Sequence, residues 1–204
     1  MKFFTKKLDM QYSLRRGLYQ EIRLMMAFIE QQNYQLDNYT SRFSDMLVKG
    51  GTGISSNEFT NHVSVSNISS DEYDLESTFK KDLPNYIKKS QVLMLWAMLE
   101  DTLGYIVSEL SRQENVKPRT KKKDEPIFIH YLKWLEEIDE RDLIGESSVQ
   151  FLDGNVRKVR NSIVHGKPLD VVHDGYEITD TGIVISDKYV WEICIAIDSL
   201  AWQI

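Results

Sequence analysis

The chain has 204 residues and a formal charge of −6, with 42% hydrophobic and 11% aromatic residues. That is enough apolar surface for one sizeable core and excludes a disordered chain. The acidic balance excludes a protein that coats nucleic acid through bulk charge, because such binding needs clustered Lys and Arg. One cysteine, Cys194, excludes an intramolecular disulfide and any multi-cysteine metal site.

Met1-Lys-Phe-Phe-Thr-Lys-Lys carries the charges of a signal peptide without the apolar region behind them. No run approaches the roughly 18 apolar residues that a membrane span requires. The expectation is a cytoplasmic protein with no membrane partner.

From about residue 10 to 48, apolar residues recur every three or four positions, with one gap at Gln32, at Leu14, Leu18, Ile22, Met25, Ile29, Leu36, Tyr39, Phe43 and Met46. This spacing predicts one long amphipathic helix. Its length fits a bundle helix and equally a surface shared with a second copy of the chain. Residues 50–81 lose the pattern, apart from a short alternating Val63-Ser64-Val65-Ser66, and read as an irregular surface excursion. Gly50-Gly51-Thr-Gly53 lacks both the preceding strand and the Lys-Ser/Thr of a phosphate loop, and His62 reads as a solvated loop residue.

Asp82-Leu83-Pro84 is the expected start of the next helix, with Asp82 or a neighbour as cap and Pro84 in the first turn. Ile87, Met94, Leu95, Met98, Leu99, Leu103, Ile106, Val107 and Leu110 form its apolar stripe to about Arg112. Glu100 and Asp101 interrupt it and read first as a solvent-facing acidic pair, with Glu100 retained as an auxiliary site residue. Lys117 to Lys123 then holds five positive charges in seven residues. Such runs are usually solvated, yet in an acidic chain Lys121, Lys122 and Lys123 are candidate phosphate contacts.

Pro126 opens a third helix with Phe128, Tyr131, Leu132, Leu135 and Ile138 on its buried side, and His130 and Trp134 four apart as packing residues. Glu146-Ser147-Ser148 leads into a fourth helix that ends at Gly166, with Pro168 beyond it as a stop signal. Asp174-Gly175 and Asp180-Thr181-Gly182 bracket a hairpin of Tyr176–Thr179 and Ile183–Ser186. Ser186 caps a last helix whose core face is Val190, Trp191, Cys194, Ile197, Leu200 and Ala201. The sum is an all-α bundle of about five helices with a short β-hairpin insert, forming a single domain over 1–204.

The fourth helix carries the chemistry. Val156, Val159, Ile163 and Val164 are expected against the core. Arg157, Lys158, Arg160 and Asn161 lie largely off it, and Asn161 and His165 share a face at a spacing of four. Arg160 precedes His165 by about 7.5 Å along the axis, a gap its side chain spans. An Arg, an amide and an imidazole together can bind and work on a phosphate, with Arg157, Lys158 and Lys167 as further phosphate contacts. Residue types alone fit equally a structural helix end, with His165 capping carbonyls and Arg160 paired with an acid. No Gly-x-Ser-x-Gly and no His or Glu pair at metal spacing competes, so no metal and no cofactor is expected.

Arg160-Asn161-Ser-Ile-Val-His165, followed by Gly166 near the end of an all-α chain, resembles the Arg-polar-x3-His signature of HEPN domains. The resemblance covers about residues 84–203 well and the first helix loosely. It implies a metal-independent endoribonuclease in which two chains bring their motifs to one cleft. Arg160 would hold the scissile phosphate, His165 would be the general acid/base for 2′-hydroxyl attack, and Asn161 would orient either. A homodimer, an RNA substrate and a cognate antitoxin or defence-system partner are its implied partners. Some HEPN domains are non-catalytic, so the alternative is a module that binds RNA or a nucleotide, or an interaction subunit.

Overall fold

In a computed structural model of the chain, the described residues are 16–50, 64–65, 68–69, 73–139 and 141–204, with side chains described at 16–42, 73–138 and 141–204. The predicted start of the first helix at 10–15, the Gly-rich turn from Gly51 and the lone His62 lie outside them. Helix α1 runs Arg16–Gly50. Leu18, Ile22, Met25, Ile29 and Leu36 are buried on its inner stripe, as the spacing predicts, whereas Tyr39 is exposed and rests its ring 5.8 Å from Phe79.

Two parts of the 50–81 stretch differ from an irregular excursion. Strands β1 (Ser64–Val65) and β2 (Ile68–Ser69) pair antiparallel, with Val65 opposite Ile68. Helix then begins at α2 (Leu75–Ser77), seven residues before the expected cap at Asp82. The true cap is Asp74, whose carboxylate accepts from the Ser77 N–H at 3.0 Å, while Asp82 is itself helical and caps nothing with its side chain. Between α2 and α3 (Leu83–Glu114), residues Thr78–Asp82 form a π turn closed by the Leu83 N–H on Thr78 O. Pro84 lacks an N–H and crowds the preceding turn, and a wider turn just before it lets the helix run through.

Helix α3 is the centre of the bundle, packing against α1, against α4 (Ile127–Asp139), against α6 (Arg157–His165) and against α7 (Asp187–Gln203). Leu95, Leu99, Leu103 and Ile106 are fully enclosed. Gln91 is enclosed as well and donates to Asn33 Oδ1 at 2.9 Å, a polar tie between α3 and α1 inside an apolar interface. Helix α3 ends at Asn115 in the left-handed conformation, where asparagine is better tolerated than most residues. His130 and Trp134 are both buried in α4, as expected.

Helix α5 (Ser147–Phe151) passes into α6 through a second π turn, Leu152–Val156, in which the Arg157 N–H bonds to Leu152 O. Val156 and Val159 face the core and Ile163 is partly buried, but Val164 is exposed. One residue past Ile163 is about 100° further round the helix, which takes Val164 off the core side. Strands β3 (Tyr176–Thr179) and β4 (Gly182–Ile185) pair from Tyr176–Ile185 to Thr179–Gly182. Gly182 is therefore a strand residue, at φ 119°, and the turn is Asp180-Thr181 alone. Ser186 leaves the strand to cap α7, accepting from the Tyr189 N–H at 3.2 Å. Val190, Cys194, Ile197, Leu200 and Ala201 are buried as predicted, and Trp191 only partly.

The described residues are mostly helical, in five helical rods, with a two-stranded hairpin before the last. None of the described helices is long and apolar enough to cross a membrane.

Candidate active site

Three pieces of chain meet beside the last turns of α6. Helix α3 brings Trp96 and Glu100, the segment entering α4 brings Lys123, Pro126 and Ile127, and α6 brings Arg160 and Asn161. They line an open cleft of about 420 Å³, within the size range of small-molecule sites. Arg160 donates from Nη1 to Asn161 Oδ1 at 3.0 Å. Among the described residues Arg160 has no carboxylate at ion-pair distance, so the paired-with-an-acid alternative does not describe it. Its charge is nonetheless felt by Glu100 across the cleft.

Glu100 and Asp101 differ in setting. Glu100 is half-buried against the cleft while Asp101 is exposed. Burial raises its carboxyl above the usual carboxylate range, and the Trp96 indole N–H and the Arg160 guanidinium oppose that rise. Trp96 sits one turn before Glu100, so the indole can only donate and the carboxylate accepts. Tyr131 reaches toward the same part of α3: a Cβ at Gly104 would lie 3.0 Å from its hydroxyl oxygen, close enough that the ring would have to give slightly. Burial, then the nearby Glu100 and Asp101 charges, push the Tyr131 hydroxyl pKa up.

The segment bearing Lys123 is pinned by Glu125, whose side chain is 5% exposed. Its carboxylate accepts from Arg119 Nη1 at 3.0 Å, Lys133 Nζ at 3.3 Å and the Lys122 N–H at 3.4 Å. Burial works to raise this carboxyl, but those donors outweigh it and hold it down at about 2. Arg119 also reaches Glu137 at 3.4 Å, so one charge of the basic run is a structural tie. His130 stands behind the node, 7% exposed, with Nδ1 3.5 Å from Glu125 Oε2.

Helix α6 ends as its sequence demands. Gly166 adopts φ 62° and its N–H closes on Ser162 O at 2.9 Å, a left-handed cap that glycine takes without a Cβ penalty. His165, just before it, is exposed and has no hydrogen bond or ion pair among the described residues. The imidazole does not line the cleft that holds Arg160 and Asn161.

The other phosphate candidates divide. Lys123 lines the cleft, while Lys121, Lys122 and Lys167 are exposed away from it. Arg157 lines the cleft but is held by Asp153 at 2.6 Å. Lys158 is held by Asp170 at 3.0 Å. Its hydrogen bond lowers the Asp170 carboxyl. Neither Arg157 nor Lys158 is a free phosphate contact.

Comparison with protein-family models, with curated proteins and with solved structures finds no match. The fold and the site therefore rest on this chain's own geometry.

One group of metal-type side chains occurs among the described residues, away from the cleft: His173, Asp174 and Glu192 offer ligand atoms within 4.8 Å of one another. Sequence spacing could not reveal it, because His173 and Asp174 lie in a loop and Glu192 on α7. Lys188 already supplies a positive charge there, paired with Asp174 and 3.8 Å from Glu192. His173 Nδ1 is occupied by the Gly175 N–H at 3.0 Å.

Sequence reasoning missed Trp96, Pro126 and Ile127 as walls and Glu125 as the anchor of the basic segment. The Trp96–Glu100 spacing of four was a usable signal. Nothing in the sequence brings residues 123–127 to α6.

Proposed function

We propose that this chain is a HEPN-class, metal-independent endoribonuclease that works as a homodimer and serves as a toxin or phage-defence effector. The observation that supports this best is the last part of α6. There a hydrogen-bonded Arg160–Asn161 pair opens onto a cleft, and an unpartnered His165 follows one turn on.

In this reading Arg160 holds the non-bridging oxygens of the scissile phosphate through its forked donors. An imidazole takes the proton of the 2′-hydroxyl as its oxygen attacks phosphorus. The bond to the 5′-oxygen breaks, and that oxygen receives a proton from a second imidazole. The products are a 2′,3′-cyclic phosphate and a 5′-hydroxyl. Histidine suits both roles because it titrates near neutral pH, and the guanidinium stabilises the developing phosphorane charge without a metal. Since His165 of one chain does not line its own cleft, a second copy would complete the site.

The same separation favours a second reading, a non-catalytic module in which the cleft binds RNA or a nucleotide, or serves an interaction subunit. Incubating purified protein with RNA in EDTA separates the two. Cyclic-phosphate ends that vanish in His165→Ala support the enzyme. An inert wild type that still retards RNA in a salt-sensitive way supports the module. A monomer by light scattering at micromolar concentration would count against the two-chain site.

A further inference from the structure

The cleft brings positive, acidic and apolar side chains together. Arg160 and Lys123 offer positive charge that no carboxylate neutralises at ion-pair distance among the described residues. The same cleft is lined by Pro126, Ile127 and an edge of the buried Trp96, and by the acids Asp124, Glu125 and Glu100. The Trp96 indole is the side-chain donor to Glu100 among the described residues, and a carboxylate has about four acceptor sites, so Glu100 keeps acceptor capacity toward the open cleft.

We propose that this cleft is a guanine-nucleotide subsite, with Glu100 reading the base and Arg160 and Lys123 holding the phosphate. The Watson–Crick edge of guanine carries two adjacent donors, N1–H and the 2-amino group, which match the two oxygens of one carboxylate. Adenine and cytosine present one amino donor beside an acceptor, and uracil one imino donor between two acceptors. Each would leave a carboxylate oxygen facing an acceptor. Pro126 and Ile127, both partly exposed, offer a small apolar surface for the base to rest on. The Arg160 and Lys123 charges suit the attached phosphate. On RNA, the placement of this base next to the cleaved bond rests on the ribonuclease reading above; the base preference itself does not.

The pinned Glu125 node adds to this. By tying Arg119, Lys133 and the Lys122 backbone together, it holds Lys123, Pro126 and Ile127 in place before a ligand arrives. A preformed site loses less to ordering on binding.

The test is calorimetric binding of guanosine, inosine, adenosine, cytidine and uridine 5′-monophosphates to the full chain. Guanosine monophosphate is expected to bind about tenfold or more tightly than the adenosine, cytidine and uridine forms, the scale of one charged hydrogen bond. Inosine monophosphate, which keeps N1–H and lacks the 2-amino group, should fall between them. Glu100→Gln should bring guanosine monophosphate down to the level of the others, because the amide turns a donor toward the 2-amino group. Lys123→Ala should weaken all five alike and leave the order intact.

Equal binding of the unmodified nucleotides, no binding at millimolar concentration, or a guanine preference that survives Glu100→Gln overturns the proposal. The nucleotide comparison on wild type decides the matter even if a variant fails to fold. Failure of this inference and of the ribonuclease reading are separable. Guanine-selective binding by a protein that never cleaves RNA removes the enzyme and keeps the subsite, whereas cleavage with no selectivity among the nucleotides removes the subsite alone.

Discussion

Arg160 and Asn161 are chain neighbours whose side chains are hydrogen-bonded to each other, Nη1 to Oδ1, at 3.0 Å. Successive helical residues do not normally face one another; here the length of the arginine folds its guanidinium over the shorter amide. The amide oxygen accepts this bond with one of its two lone pairs, and the Asn161 –NH2 remains a donor for the cleft. The pair acts as one donor surface, suited to phosphate oxygens.

If that surface works on RNA, the roles of its members separate in kinetics. His165→Ala and Arg160→Ala should each lower RNA cleavage in EDTA by about 100-fold or more, the usual scale of acid–base and electrostatic catalysis. Arg160→Lys should not restore it, since a point charge cannot reproduce a fork of donors. Single-turnover cleavage assays check both, and undiminished rates in His165→Ala and Arg160→Ala would end the enzymatic reading.

Acid should loosen the wall that carries Lys123. The Glu125 carboxyl is held at about 2, against an ordinary 4.5. A lowered folded-state value means its stabilisation is complete above about pH 4.5 and is lost as pH falls toward 2. Urea unfolding at pH 5, 4 and 3 should show stability dropping across that interval. Glu125→Gln should be less stable than wild type at pH 6, with a flatter acid response, because Arg119 and Lys133 then lack their buried counter-charge.

Gly166→Ala tests the helix stop alone. Nothing lies within 4 Å of an added Cβ, so the cost is conformational, from φ 62°. A loss of about 1 kcal/mol is expected, read as a lower thermal midpoint with far-ultraviolet circular dichroism preserved. A variant as stable as wild type would mean that α6 frays at no cost.

Ser186→Ala removes the cap of α7 and, with it, the 2.6 Å bond from the Ser186 hydroxyl to Gly175 O. A cost of about 1 kcal/mol follows from the cap, and the lost loop contact adds to it. Hydrogen exchange should quicken first at the Tyr189 amide, and unchanged protection there would contradict the assignment.

Much of the frame was legible because it is local. Three-and-four spacing located α1 and α3, and Asp180-Thr181 between alternating residues located the hairpin to within one position. Ser186 and Gly166 marked helix ends through backbone chemistry confined to a few residues. The cleft was not legible, because it depends on residues 123–127 and 157–161 converging on α3. The burial of Gln91 was hidden for the same reason, since its partner Asn33 is 58 residues away. Glu100 was visible as a break in an apolar stripe, but which way that break faced was set by α6, not by α3. The early start at Leu75 was hidden by Pro84, whose usual place is a first turn.

The π turn at Leu152–Val156 has a consequence for how the motif can vary. A residue accommodated there turns everything after it by about 100° relative to an uninterrupted helix. The compass bearing of Arg160, Asn161 and His165 is thus set upstream of all three, around Gly154, where an added Cβ would meet nothing. A chain with the identical Arg-Asn-x3-His string but one residue fewer before it would aim that string into a different quadrant. The letters of such a motif carry its chemistry only together with the phase of the helix that delivers them.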